Sequence, residues 1–161
     1  MDVNKAFNIL LDFEGGLSNS ATDLGGLTKY GISQRAFPNV DIKNLTPEGA
    51  KQLYVDNYWN VAHCDQLPEA LKYVHFDTAV NMGADKAVRI LQEAANIAID
   101  GAFGPNTAAK ALQVPIADYL FLRECYDAEI VAHRVNQVAN LGGWTNRNKK
   151  IRILSIAGQL A

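Results

Sequence analysis

The sequence predicts a mainly α fold with one small β element near its N-terminus. Three observations carry this. Apolar residues recur at helical spacing along most of the chain. Proline and capping residues mark where several of those segments begin. Between the first two helical segments, residues 17–33 turn rich in Gly, Ser, Asn and Thr, with only short apolar alternation.

Taken in order, Val3, Phe7, Leu10, Leu11 and Glu14 share helical spacing, which predicts a helix over 3–14 stopped by Gly15-Gly16. Residues 17–33 read as an irregular hairpin or extended loop with its turn near Gly25-Gly26. Thr46-Pro47-Glu48 is a helix start: an N-cap, a proline at the first helical position, and an acid at the positive helix end. That helix carries Ala50, Leu53, Tyr54, Tyr58 and Val61 on its apolar side. Pro68 opens another, through Leu71, Val74, His75, Thr78 and Met82 to Gly83. A third, 84–95, buries Ala87, Ile90 and Leu91. A turn-rich connector, Ile99 to Thr107, leads to a short helix near 108–112. Pro115 starts a long helix to about Asn136, with Tyr119, Leu122, Tyr126, Ile130 and His133 on one side. Gly142-Gly143 is expected to break the chain before a last helix carrying Ile151, Leu154, Ile156 and Leu160.

Composition narrows the function classes. The 161 residues are 48% apolar, 20% charged and 9% aromatic, which is globular and not disordered. A chain of this size buries about two thirds of its unfolded surface, so no disulfide or structural metal is needed. Fifteen basic residues against seventeen acidic give a net charge of −2, with no footprint for nucleic acid. No stretch approaches a membrane span, and the start, Met1-Asp2-Val3-Asn4-Lys5, lacks a signal peptide's basic and apolar regions. The expectation is synthesis in a bacterial cytoplasm without stable membrane insertion. Cys64 and Cys125 share no motif and read as free thiols. His63 and His133 lack acidic or Cys neighbours at ligand spacing, so neither metal nor other cofactor is expected. There is no Gly-x-Ser-x-Gly and no phosphate-cradling glycine loop.

Carboxylates are the remaining catalytic currency. Glu14 ends the first predicted helix, Asp23 follows nine residues later, and Thr28 five after that. A hairpin folding back over the helix end would bring the three together. One acid kept protonated by partial burial can donate to a leaving oxygen, while the other groups stabilise positive charge or position water. Acids beside glycines are also ordinary caps and turn formers, and Asp23 before Leu24-Gly25 can simply make a turn.

The segment Phe13-Glu14-Gly15-Gly16-Leu17-Ser18-Asn19, followed by Asp23-Leu24-Gly25-Gly26-Leu27-Thr28-Lys29-Tyr30-Gly31-Ile32, resembles the N-terminal signature of the glycoside hydrolase family 108 N-acetylmuramidases. It is also similar to the Glu, Asp and Thr of phage-type lysozymes, although the Asp–Thr spacing here is one residue shorter. The resemblance implies Glu14 as general acid, Asp23 as second carboxylate and Thr28 as a water-positioning group. A second block, Phe76-Asp77-Thr78-Ala79-Val80-Asn81-Met82-Gly83 through Ile99-Asp100-Gly101-Ala102-Phe103-Gly104-Pro105-Asn106-Thr107, resembles the peptidoglycan-binding segment that follows in that family. Arg123, Tyr126 and Gly143-Trp144-Thr145-Asn146-Arg147 also fit it.

Substrate-binding candidates are therefore Tyr30, Asp77, Asn81, Tyr126, Trp144 and Arg147. Five of them have a structural alternative. Asp77 and Asn81 lie on one helix face and can bond each other instead of a sugar. Tyr126 and Trp144 can be core aromatics. Arg147 can hold substrate or a structural carboxylate. His75 reads as a buried, hydrogen-bonded histidine, and Asp100-Gly101 and Gly104-Pro105 read as turn chemistry.

The resemblance implies one compact lysozyme-like domain over 1–161, with a catalytic block 1–66 and a peptidoglycan-binding block 67–161. It implies a monomeric muramidase cutting the β-1,4 bond between N-acetylmuramic acid and N-acetylglucosamine in peptidoglycan. A missing signal peptide suits a phage or prophage endolysin that reaches the wall through a holin. The alternatives are a non-hydrolytic wall-binding module, a lytic transglycosylase using Glu14 alone, or a secretion activator. With a net charge of −2, wall binding is expected through a local cleft of polar and aromatic residues.

Overall fold

The computed structural model describes residues 1–13 and 27–160. Among them the chain is mainly α, with one short antiparallel hairpin, as expected. Contacts sort it into two compact units: Asp2–Asn57, and Met1 with Tyr58–Ala161. That boundary lies upstream of residue 66, where the sequence blocks divide.

In the first unit, α1 (Val3–Phe13) turns Ala6, Phe7 and Leu10 inward. Strands β1 (Thr28–Lys29) and β2 (Ile32–Ser33) pair antiparallel, Thr28 opposite Ser33 and Lys29 opposite Ile32. Their turn is Tyr30-Gly31, both at positive φ (54° and 75°). Two consecutive left-handed residues match the right-handed twist of a tight hairpin, and glycine makes the second one cheap. The turn expected at Gly25-Gly26 lies outside the described residues. α2 (Pro47–Tyr54) starts where its cap chemistry says, with Thr46 Oγ1 accepting from the Gly49 N–H at 3.1 Å. Such a cap contributes about 1 kcal/mol. The Phe7 and Tyr54 rings, 5.7 Å apart, join α1 to α2. Gln34 Nε2 donates to the carbonyls of Phe37, Pro38 and Val40, which fixes the loop leading to α2.

In the second unit, α3 (Glu69–Met82) is central. Its residues 73–79 are all buried, well beyond the stripe that periodicity predicts. α4 (Ala84–Ala94) and α6 (Ile116–His133) pack on it, and α7 (Val138–Ile156) packs on α6. α5 (Pro105–Ala111) starts at its proline, slightly before the expected helix. The edge-on pair Trp59–Phe76, with centroids 5.3 Å apart, fills the base of this core. Val61, expected on the buried side of the second helix, is exposed. The helix leaves α geometry at Val55, through a π-helical turn (Val55–Trp59), and this shifts the face that follows.

The polar residues inside α3 are satisfied. Thr78 Oγ1 donates to the Val74 carbonyl at 2.7 Å. His75 Nε2 lies 3.0 Å from the Ala62 carbonyl and Nδ1 lies 3.0 Å from the Tyr119 hydroxyl. A carbonyl can only accept, so the network assigns the proton to Nε2 and leaves Nδ1 to accept from Tyr119. Burial lowers the His75 pKa to about 4. The unfolded chain therefore binds a proton that the folded one refuses as pH falls from about 6.5 to 4. Stability should be full above this window and fall by roughly 3 kcal/mol across it. Urea unfolding between pH 7 and 4 should show this slope, and His75→Gln should flatten it. Asp127 titrates in the opposite sense, so the difference between the two proteins isolates His75. Equal slopes would contradict the assignment.

Gly142-Gly143 does not break the helix: α7 runs through both glycines. Propensity costs about 1 kcal/mol per glycine, and packing of α7 on α6 overrides it. A β-carbon at either position would meet nothing within 4 Å. Gly142→Ala and Gly143→Ala should each therefore stabilise the protein by roughly 0.5–1 kcal/mol. Thermal unfolding of the two variants tests this, and destabilisation by either would contradict it.

Candidate functional site

Glu14 and Asp23 lie outside the described residues. Thr28 is half-buried in β1, opposite Ser33. Tyr30 sits at the hairpin tip with its ring beneath Lys29 Nζ, 5.6 Å from the ring centre, and its carbonyl accepts from the Tyr54 hydroxyl at 3.2 Å. The hairpin is thus tied to α2 by a long-range bond at its turn.

The second unit holds a buried charge cluster. Asp77 is fully buried. Arg123 Nη1 donates to its Oδ2 at 2.6 Å. Arg147 donates from Nη2 to Oδ1 at 2.7 Å and from Nε to both oxygens at 2.9 and 3.1 Å. Burial alone would raise the pKa of Asp77, but the two guanidiniums outweigh it and hold the carboxyl below its ordinary value. Asn81 Nδ2 donates to the Asp77 carbonyl at 2.7 Å. Of the alternatives open for Arg147, the structure displays the structural carboxylate. Asp77 is committed to its guanidiniums and positions Arg123 and Arg147.

Three of the expected binding residues meet on one groove. Asn81 from the end of α3, Tyr126 from α6 and Trp144 from α7 line a cavity of about 460 Å³ within the second unit. Its walls also carry Lys86, Asp127 and Arg134. Lys86 Nζ lies 4.1 Å from the centre of the Tyr126 ring. The Tyr126 hydroxyl donates to Glu93 Oε2 at 2.8 Å, and this bond with partial burial pushes its pKa up to about 12. Asp127 is buried and accepts from Asn148 Nδ2 at 2.9 Å, and burial raises its pKa. Arg123 closes the floor, and its buried Nε has no partner among the described residues.

Sequence reasoning missed Lys86, Asp127 and Arg134. Each is an ordinary solvated charge by local pattern. Only the crossing of α4, α6 and α7 brings them onto one groove. The Asp100-Gly101 turn is structural, as its composition suggests. Gln92, itself buried, accepts from the Gly101 N–H at 2.9 Å and donates to Asp100 Oδ1 at 2.7 Å and the Ala102 carbonyl at 3.0 Å. Gly101 has φ +78°, and a β-carbon there would come within 2.6 Å of Asp85 Oδ1. Cys64 is buried and Cys125 exposed, both as free thiols. No helix among the described residues is long and apolar enough to cross a membrane.

A solved structure and one family of known proteins are similar to this chain. A solved structure described as that of Brucella abortus SagA superposes with a TM-score of 0.77 and 27% sequence identity, covering 96% of this chain and 94% of that one. The fold is thus the mainly α, lysozyme-like one. No curated protein matches the chain. The glycosyl hydrolase 108 family matches residues 7–83, past the expected block end at 66 and as far as Gly83 after α3. Glu14, Asp23, Thr28, Tyr30, Asp77 and Asn81 therefore all fall within the stretch, residues 7–83, that is similar to the glycosyl hydrolase 108 family.

Proposed function

We propose that this chain is a peptidoglycan muramidase that hydrolyses the β-1,4 bond between N-acetylmuramic acid and N-acetylglucosamine. The observation that carries the reading is the match of residues 7–83 to the glycosyl hydrolase 108 family. Glu14 acts as general acid and protonates the leaving glycosidic oxygen. Asp23 serves as second carboxylate, with Thr28 helping to hold the attacking water. Tyr30, Asn81, Tyr126 and Trp144 contact the glycan. Asp77 and Arg147 belong to the same binding machinery by holding Arg123 and the α3–α6–α7 crossing in place. The two-carboxylate scheme needs one acid protonated and one ionised at the working pH, which differing environments supply. No cofactor takes part in the scheme.

In its biological setting the protein is a monomeric endolysin of a phage or prophage. It is made in the host cytoplasm and reaches the wall after a holin opens the membrane. Release of reducing ends from purified peptidoglycan tests the chemistry. The wild-type protein should generate them steadily. Retention on the wall with neither new reducing ends nor 1,6-anhydro ends would favour a non-hydrolytic binding module.

A further inference from the structure

In the first unit, one turn has a backbone that its sequence does not favour. Tyr30 and Gly31 both lie at positive φ, 54° and 75°. Glycine adopts that conformation freely and Asn or Asp tolerate it, whereas a tyrosine β-carbon crowds the following carbonyl. The hairpin has little of its own to offset this cost. Each strand is two residues long, and a lone two-stranded hairpin is marginal in water. Strain of this kind persists only where the surroundings fix the backbone. Here those surroundings include Tyr54. Its hydroxyl donates to the Tyr30 carbonyl at 3.2 Å, across 24 residues of chain. Its ring, buried at the end of α2, packs on Phe7 of α1 with centroids 5.7 Å apart. Glu14 is the residue that follows α1 in the chain, and Thr28 stands two residues before Tyr30. One side chain therefore touches both the helix that leads into Glu14 and the turn that follows Thr28. Lys51, on the same helix as Tyr54, instead donates to Asn4 Oδ1 near the start of α1, at 2.9 Å.

We propose that Tyr54 is a positioning residue for glycosidic cleavage, its ring fixing α1 and its hydroxyl fixing the hairpin turn, so that it sets Thr28 against the helix leading into Glu14. This rests on the muramidase reading for the roles of Glu14 and Thr28. Tyr54 is itself buried, so it acts through these neighbours and not on the glycan. Phenylalanine in its place keeps the ring and the Phe7 contact and removes only the bond to the turn. The Tyr30 carbonyl then loses a partner, and the strained turn gains other conformations. Thr28 shifts with the turn, and the water it holds is no longer aligned for attack.

The test compares Tyr54→Phe, Lys51→Met, Thr28→Val and the double variant Tyr54→Phe with Thr28→Val, each in the full chain. Tyr54→Phe should lower kcat for reducing-end release by about ten-fold, since a misplacement of about 1 Å can cost about a hundred-fold. KM for soluble peptidoglycan fragments should stay within about two-fold, because the glycan contacts of the second unit are untouched. Lys51→Met also removes a hydrogen bond between α2 and α1, and it should leave kcat unchanged. Thr28→Val should be slow by itself, and adding Tyr54→Phe to it should slow it no further, because residues that act as one unit are not additive. Hydrogen exchange reads the hairpin independently of activity. The Gln34 N–H donates to the Leu27 carbonyl at 3.0 Å and closes the hairpin beyond Thr28. In Tyr54→Phe it should exchange about five-fold faster, as for the loss of one hydrogen bond, with the Leu10 amide in α1 unchanged. Four results would each overturn the proposal: Tyr54→Phe or Thr28→Val within about two-fold of wild type, an equal fall in Lys51→Met, additive losses in the double variant, or unaltered Gln34 exchange. Any of these beside an active wild-type protein removes this inference alone. A wild-type protein that releases no reducing ends removes the muramidase reading and this inference with it.

Discussion

Replacing Asp77 by alanine is expected to cost about 3–5 kcal/mol of stability, because the buried guanidinium of Arg123 and the partly buried one of Arg147 are then left facing each other without their shared carboxylate. Asp77 is fully buried and is the shared partner of Arg123 and Arg147. Its removal therefore abolishes two ion pairs and leaves Arg123, also buried, with Thr78 Oγ1 at 3.2 Å as its remaining acceptor among the described residues. For a chain of this length, that loss lowers the unfolding temperature by on the order of 10 °C. Asp77→Asn should keep part of the geometry but not the charge, and so fall between wild type and Asp77→Ala. Removing Arg147 as well, as Asp77→Ala with Arg147→Met, should cost less than the two single losses combined, because one buried charge disappears with its partner. Urea and thermal unfolding measure all three. A change below about 1 kcal/mol for Asp77→Ala would show that the cluster is solvated.

The second large effect concerns chemistry. Glu14→Gln keeps the size and hydrogen-bonding capacity of the side chain but removes its transferable proton. A positioned general acid contributes about 10²–10⁴-fold, so wall hydrolysis should fall by that factor. Folding and wall retention should be unchanged. Asp23→Asn should also lower the rate, since an amide neither stabilises positive charge nor activates water. Initial rates of reducing-end release, with unfolding temperatures alongside, measure both. A Glu14→Gln protein as active as wild type would remove Glu14 from the reaction.

What could be read from sequence divides along a physical line. Local chemistry was legible. The Thr46 cap and Pro47 place the start of α2, and Pro68 places α3, because each acts on its own next turn. Gly142-Gly143 misleads because helix propensity is a weak local term. α7 gains more by packing on α6 than the glycines cost. The Tyr30-Gly31 turn hides beside the more conspicuous glycine pair at 25–26, although a two-residue loop ending in glycine is a hairpin signal.

The site was legible as a set of residue types and not as an arrangement. Asn81, Tyr126 and Trp144 were nominated by resemblance, and they share a groove because three helices converge there. The commitment of Asp77 could not be read, since its partners lie 46 and 70 residues away. No periodicity spans such distances. The charged lining is hidden for the same reason: no local pattern places Lys86, Asp127, Glu129 and Arg134 on one groove.

The product of the reaction separates hydrolysis from its rivals. Purified peptidoglycan digested with the wild-type protein should yield fragments ending in a reducing N-acetylmuramic acid, one water heavier than the anhydro form, as read by mass spectrometry. Glu14→Gln under the same conditions should yield almost none. Fragments ending in 1,6-anhydro-muramic acid would contradict hydrolysis and assign the protein to lytic transglycosylation. Fragments with a reducing N-acetylglucosamine would move the cleavage to the other bond.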